Sequence, residues 1–220
     1  MILAAGRGLR MKPLTNETPK PLLKVGGVTL LERHILRLYE AGFKDLVINV
    51  SHLADQIIDF ISRLPYEVNI SISLEDEPLE TAGGIVKALP LLDDFPFLLI
   101  NADIWTDFEL EKVFSIEMTE DTLAHLFLVK NPPEHPRGDF ELDNFLIRKI
   151  QYGTTLTYTG MGIYRPCLFS RYDESVGLLR PVLDSAIQEK QVTGQIFGGR
   201  WYDVGTPDRL YALNDSLKNE

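Results

Sequence analysis

The stretch from Met1 to Val25, MILAAGRGLRMKPLTNETPKPLLKV, constrains the chain more than any other. The apolar run Met1-Ile2-Leu3-Ala4-Ala5 is bounded by Gly6 and Gly8, which suits a short buried strand feeding a loop. Glycine after a strand lets the backbone take positive φ and approach a ligand closely. Successive N–H groups in such a loop, here from Ala5 through Gly6, Arg7 and Gly8, form a concavity suited to phosphate oxygens. Arg7, Arg10, Lys12, Lys20 and Lys24 lie in this stretch with Glu17 as its only acid, although the whole chain has a formal net charge of −10. Lys20 sits between Pro19 and Pro21, which stiffen the backbone around it, and a lysine serving only solubility needs no such holder. Neither GxxxxGK[ST] nor a third glycine at the GxGxxG spacing is present, so this is a phosphate loop of another kind.

The same residues carry a resemblance. LAAGRGLRMKPLTNETPKPLLKV is similar, over more than twenty positions, to the LAAGxGxRxxPLTxxxPKPLLxV signature of the sugar-phosphate nucleotidyltransferases. That resemblance implies an α/β fold, a Rossmann-like three-layer sandwich with a mixed, mostly parallel central sheet. It also implies transfer of a nucleotidyl group from a nucleoside triphosphate to a sugar 1-phosphate. The 220 residues fit one such domain, with 1–118 mainly binding nucleotide and 119–220 mainly binding sugar and supplying the closing helix.

Composition narrows the partners. The acidic balance argues against a long nucleic acid, which needs a basic face, but not against one nucleotide held by local positive charge. No apolar stretch approaches the roughly 20 residues that span a bilayer, and no secretory pattern is visible. A single cysteine, Cys167, excludes an intramolecular disulfide and fits a reducing cytoplasm. Its neighbours Leu168 and Phe169 place it in the core.

Periodicity predicts a helix over 29–41 ending at Gly42, a strand over 46–50, a helix over 54–64 and an alternating strand over 68–74. His34 falls on the apolar side of the first helix, as a packed structural histidine. Strand and helix in alternation predict right-handed crossovers, with ligands bound beyond the carboxyl ends of the strands. At that edge, Glu75 to Gly84 opens another helix. There backbone groups near Glu80 and Thr81 are placed to read the edge of a base, and Gly83-Gly84 to admit its flat face. The stretch resembles the family's base-recognising loop.

The next strand, 96–100, ends in Asn101-Ala102-Asp103. A carboxylate where an apolar strand stops is costly unless paired or metal-bound. The family has a Gly-Asp pair here whose aspartate binds Mg²⁺, so the resemblance assigns Asp103 to Mg²⁺ and Asn101 to the nucleotide, with Ala102 departing from glycine. Thr106 and Asp107 suit the cap of a following helix.

From Thr119 the pattern changes. A strand over 123–129, a proline-rich loop with a surface His135, a hairpin over 140–152 and a glycine-bearing strand over 156–164 precede a helix over 178–190 that Pro181 interrupts early. Gly138 admits a close approach, and Asp139 can accept hydrogen bonds from sugar hydroxyls or an N-acetyl amide. The family's acceptor pocket is formed here, with Gly160 in its wall. Trp201-Tyr202-Asp203-Val204-Gly205-Thr206 resembles the W-x-D-x-G-T motif, which implies Asp203 as the second carboxylate on the same Mg²⁺ and Trp201 at the sugar. Thr206 and Pro207 start the last helix.

The resemblance then implies attack of a sugar-1-phosphate oxygen on the α-phosphorus of the triphosphate, with Arg10 on the departing phosphates and Lys20 on the α- or acceptor phosphate. The EPLET, NADIWTD, RGDF and WYDVGT segments most resemble the branch joining UTP to N-acetylmuramate 1-phosphate in cell-wall recycling. Ala82 also suits guanylyltransferases acting on mannose 1-phosphate, and a phosphocholine cytidylyltransferase is a weaker fit. A catalytically silent nucleotide-sugar-binding subunit is the reading from another class, opposed by the joint presence of Arg10, Lys20, Asp103 and Asp203. Oligomeric state is not legible.

Overall fold

The computed structural model describes residues 1–218. In chain order its elements are β1 (Ile2–Leu3), β2 (Lys24–Val25), β3 (Val28–Thr29), α1 (Leu30–Glu40), β4 (Asp45–Val50), α2 (Ala54–Ser62) and β5 (Asn69–Leu74). There follow α3 (Glu80–Ala88), β6 (Phe97–Asn101), β7 (Ile104–Thr106), β8 (Ala124–Lys130), β9 (Phe140–Asp143), β10 (Leu146–Arg148) and β11 (Thr155–Tyr164). The chain closes through α4 (Leu179–Gln188), β12 (Val192–Ile196), β13 (Trp201–Asp203) and α5 (Pro207–Lys218).

One sheet runs through the molecule in the order β5-β4-β1-β6-β11-β8-β12-β10-β9. β1, β4, β5 and β6 are mutually parallel, β11 is antiparallel to β6 and β8, and β12 runs parallel to β8. Only β10 and β11 therefore oppose the common direction, and the sheet is mixed and mostly parallel. β1 forms just two residues of ladder, yet it is central, with Ile2 opposite both Ile48 and Ile100.

Alternation along the strands divides the core into two layers. Val47, Leu99, Leu126 and Leu128 face one side and pack with Ile85 of α3 and Leu183 of α4. Ile48, Leu98, Ile100 and Phe127 face the other, with Leu31 and Ile35 of α1 and Ile57 of α2. Burying each such side chain contributes roughly 1.5–3 kcal/mol. A third cluster joins Met11, Val25, Trp105 and Val204 to Leu210 and Leu213 of α5, so the last helix clamps the phosphate loop against β13.

Local chemistry sets the helix ends. Thr29 caps α1, its hydroxyl accepting from the Glu32 amide at 3.1 Å, and Gly42 follows the helix at φ +95°. Three expectations are corrected. Pro181 does not interrupt α4, because it is the third residue, in the first turn, where its missing N–H costs nothing. Cys167 is exposed, since the short turn Pro166–Leu168 sends Leu168 and Phe169 inward and the thiol outward. Asp107 caps no helix; its carboxylate accepts from the Arg200 amide at 2.8 Å, and only a short 3-10 turn, Leu110–Ser115, follows.

Candidate active site

Two clefts open along the carboxyl edge of β1, β4, β5 and β6. The first, of about 730 Å³, is bordered by the Ala5–Arg10 loop, Lys20, Glu75, Glu80 and Asn101. The second, of about 540 Å³, lies towards β11, α4 and β13. Arg10, Thr81, Asn101 and Asp103 border both.

The phosphate loop is held at both ends. The Ala4 amide donates to Asn49 Oδ1 at 2.8 Å, and the Thr15 hydroxyl donates to the Gly8 carbonyl at 2.8 Å. Gly8 takes φ +60°, and a Cβ there would meet Thr15 Cγ2 at 2.9 Å and Lys20 Cβ at 3.2 Å. Its bareness thus lets the Lys20 stem lie against the loop. Lys20 is only 8% exposed and its Nζ reaches Asp103 Oδ2 at 2.5 Å. Arg7 pairs with Glu77 across the mouth. The Arg10 guanidinium has no hydrogen-bond partner among the described residues.

The distant aspartates come to the wall of one cleft because β7 and β13 form a small antiparallel ribbon. Asp203 is opposite Ile104, and the Val204 amide donates to the Asp103 carbonyl at 2.9 Å. Asp203 pairs with Arg209, whose Nε lies 3.8 Å from Glu134. Burial pushes the Asp203 carboxyl above its usual range, and the Asp103 charge pushes the same way, against Lys20, Arg209 and Arg10. Behind them His34 is 2% exposed, and its Nε2 donates to the Ile104 carbonyl at 2.9 Å, fixing the start of β7. Burial lowers the His34 pKa to about 4, so the ring is neutral at pH 7.

At the far end of the first cleft, Glu75 is 2% exposed. One carboxylate oxygen accepts from Asn49 Nδ2 at 2.7 Å and the other from the Leu79 amide at 2.9 Å. Asn49 in turn holds Ala4, so a continuous strut joins the loop before α3 to the phosphate loop. Sequence reasoning missed both residues; the available signal was a polar side chain inside the apolar run of β4. Glu80 borders the cleft at φ +61°, a conformation rare outside glycine, and Thr81 lies beside it. Gly83 and Gly84 do not border it. A Cβ on Gly83 would meet the Glu174 carbonyl at 2.5 Å, and one on Gly84 would meet Asn49 Nδ2 and Glu75 Oε1 at 2.7 Å. These glycines serve close packing of α3, not the face of a base.

In the second cleft Asp139, Gly160 and Trp201 all lie in the wall. Asp139 accepts from the Tyr158 amide at 2.8 Å and is 3.1 Å from His135 Nε2. Gly160, at φ +77°, makes room for Asn101, whose Nδ2 would lie 2.6 Å from a Cβ. The Trp201 indole donates to the Thr159 carbonyl at 2.8 Å. Gly138 is buried behind the wall against Asn131 and the Leu156 carbonyl, as a turn residue at φ +61°. His135, Arg180 and Arg209 border this cleft without having been singled out as site residues. Their signal in sequence is weak, because each looks like an ordinary surface charge.

The donor set bears on the Mg²⁺ expectation. Among the described residues no three His, Cys, Asp or Glu side chains cluster as a complete metal cage. Asp103 and Asp203 supply two hard carboxylates beside clefts with cationic rims. Mg²⁺ characteristically takes one or two carboxylates and completes its shell with water and substrate phosphates, so the residues fit that ion.

Residues 1–150 match the nucleotidyl transferase family, and the chain belongs to that family. It is 48% identical, over 96% of its length and 94% of the relative's, to the N-acetylmuramate alpha-1-phosphate uridylyltransferase of Neisseria meningitidis serogroup B. It is 26% identical to a mannose-1-phosphate guanyltransferase of Hypocrea jecorina, matching 94% of this chain but only 60% of that one. In fold it resembles a putative glucose-1-phosphate thymidylyltransferase from Bacillus anthracis, with a TM-score of 0.85, 18% identity, and coverage of 100% of this chain and 94% of that one. It also resembles HddC from Yersinia pseudotuberculosis, with a TM-score of 0.78, 24% identity, and coverage of 98% and 97%.

Proposed function

We propose that the protein condenses UTP with N-acetylmuramate 1-phosphate to give UDP-N-acetylmuramate and pyrophosphate. The observation that carries this reading is the 48% identity, along nearly the whole of both chains, to an enzyme named for that reaction. The geometry supports it: two clefts share a wall of Arg10, Thr81, Asn101 and Asp103, as a reaction joining two ligands requires. On this reading the first cleft takes the triphosphate and the second the sugar phosphate. A cytoplasmic place in cell-wall recycling accords with it, and no helix among the described residues is long and apolar enough to cross a membrane.

The chemistry is placement and charge cancellation. Two phosphate oxygens at about 4 Å repel by about 4 kcal/mol at an effective dielectric of 20. Mg²⁺ held by Asp103 and Asp203 supplies charge neutralisation and electrophilic assistance when bound. The chain's own groups do the rest. The Gly6–Gly8 amides and Arg10 bind and orient the departing phosphates, the Arg10 guanidinium having no hydrogen-bond partner among the described residues. Lys20, with its stem against Gly8, brings a fixed cation to where the α-phosphate and acceptor phosphate meet. No general base is needed, since the attacking phosphate oxygen is already ionised.

Pyrophosphate release with four nucleoside triphosphates against the 1-phosphates of N-acetylmuramate, N-acetylglucosamine, glucose and mannose tests this. UTP with N-acetylmuramate 1-phosphate should give the highest kcat/KM and lose it on chelation of Mg²⁺. A preference for GTP and mannose 1-phosphate would replace the reading with the guanylyltransferase one. No turnover with any pair would favour a silent binding subunit.

A further inference from the structure

The second cleft carries a cation for which the proposed reaction has no use. Of its four basic wall residues, Arg10 sits at the seam with the first cleft, His135 faces Asp139, and Arg209 pairs with Asp203 and Glu134. Arg180, the second residue of α4, remains.

Its guanidinium is fixed from three sides. Nε donates to Asp184 Oδ1 at 2.8 Å, Nη1 donates to the Asp139 carbonyl at 3.2 Å, and Cζ lies 4.6 Å from the centroid of the buried Phe140 ring. Nη2 has no partner among the described residues, and the side chain remains 44% exposed on the cleft wall. A planar cation stacked on an aromatic ring in a cleft wall, with one N–H edge unpartnered among the described residues, has the form that recognises a carboxylate. A solvated arginine paired only with Asp184 would need neither the ring nor the Asp139 carbonyl.

N-acetylmuramate differs from N-acetylglucosamine by a lactyl ether that bears a carboxylate. We infer that Arg180 is the specificity-determining residue that binds this second anion of the acceptor, and so selects a carboxylate-bearing sugar phosphate over neutral ones. The inference rests on the substrate reading above.

The test compares three acceptors in the full chain with saturating UTP: N-acetylmuramate 1-phosphate, its methyl ester at the lactyl carboxyl, and N-acetylglucosamine 1-phosphate. Wild type should prefer the free acid to the ester by roughly ten- to a hundredfold in kcat/KM, the range for one charge-assisted hydrogen bond. Arg180→Gln should lose that factor on the acid, mainly through KM, and distinguish acid from ester no longer. Arg180→Lys should keep part of the preference, and decides the matter if Arg180→Gln does not fold. An Arg180→Gln enzyme that keeps the wild-type acid-to-ester ratio, or slows on both alike, overturns the assignment alone. A wild type that works best on N-acetylglucosamine 1-phosphate overturns the substrate reading and the assignment with it.

Discussion

Lys20 Nζ lies 2.5 Å from Asp103 Oδ2, joining the proline-braced turn after the phosphate loop to the carboxylate at the end of β6. On the proposed reaction this pair would part, Lys20 serving the phosphates and Asp103 holding a divalent cation. Lys20→Ala and Asp103→Asn should each lower kcat a hundredfold or more, the scale for one preorganised charge-stabilising group. Steady-state pyrophosphate release measures this, with circular dichroism to establish folding. Near-normal turnover in either variant would disprove the assigned roles.

His34 links acidity to stability. Its pKa is lowered from an ordinary 6.5 to about 4, so the unfolded chain takes up a proton at a pH where the folded chain does not. Stability from this group is complete above pH 6.5 and is lost as pH falls towards 4, by about 3 kcal/mol at 1.36 kcal/mol per pKa unit. Urea unfolding of wild type and His34→Gln from pH 7 to pH 4 measures the difference. Parallel curves would show that the buried ring does not resist protonation.

Gly84→Ala sets two effects against each other. Alanine is the better helix former by about 1 kcal/mol. The new methyl, however, would meet Asn49 Nδ2 and Glu75 Oε1, both at 2.7 Å, and neither can retreat without breaking the strut to Ala4. Overpacking of this kind costs about 1–3 kcal/mol, so the variant should be less stable on balance and bind UTP with a raised KM. Greater stability in denaturant titration, with KM unchanged, would show that the strut is slack.

The exposed Cys167 should react with a thiol reagent in the native protein as fast as a small-molecule thiol does. Cys167→Ser should shift stability by no more than about 0.5 kcal/mol, as surface substitutions do. Protection of the thiol until unfolding would contradict its outward placement.

Alternating apolar runs carried the layered sheet into the sequence, which is why α1, β4 and β5 were legible to within a few residues. Asp103 was legible as a carboxylate where an apolar strand stops and Asp203 only through a motif resemblance, and the ribbon that joins them is three residues long on each side and leaves no periodic signal. Gly83 and Gly84 were misread because a bare α-carbon beside a cleft and one beneath a packed segment look alike in sequence; only the Glu174 carbonyl and the Asn49–Glu75 pair tell them apart. Pro181 was misread for want of the helix start, and Cys167 because a single turn decides which of three neighbours points inward.

The wall of Arg10, Thr81, Asn101 and Asp103 between the two recesses has an evolutionary corollary. The remote ends of the recesses draw on separate segments, Glu75 and Glu80 on one side, Asp139 and Arg180 on the other. On the proposed reading, recognition of the base and of the sugar would therefore be modular: either could be retuned by exchanging its own distal residues while the shared partition stays as it is.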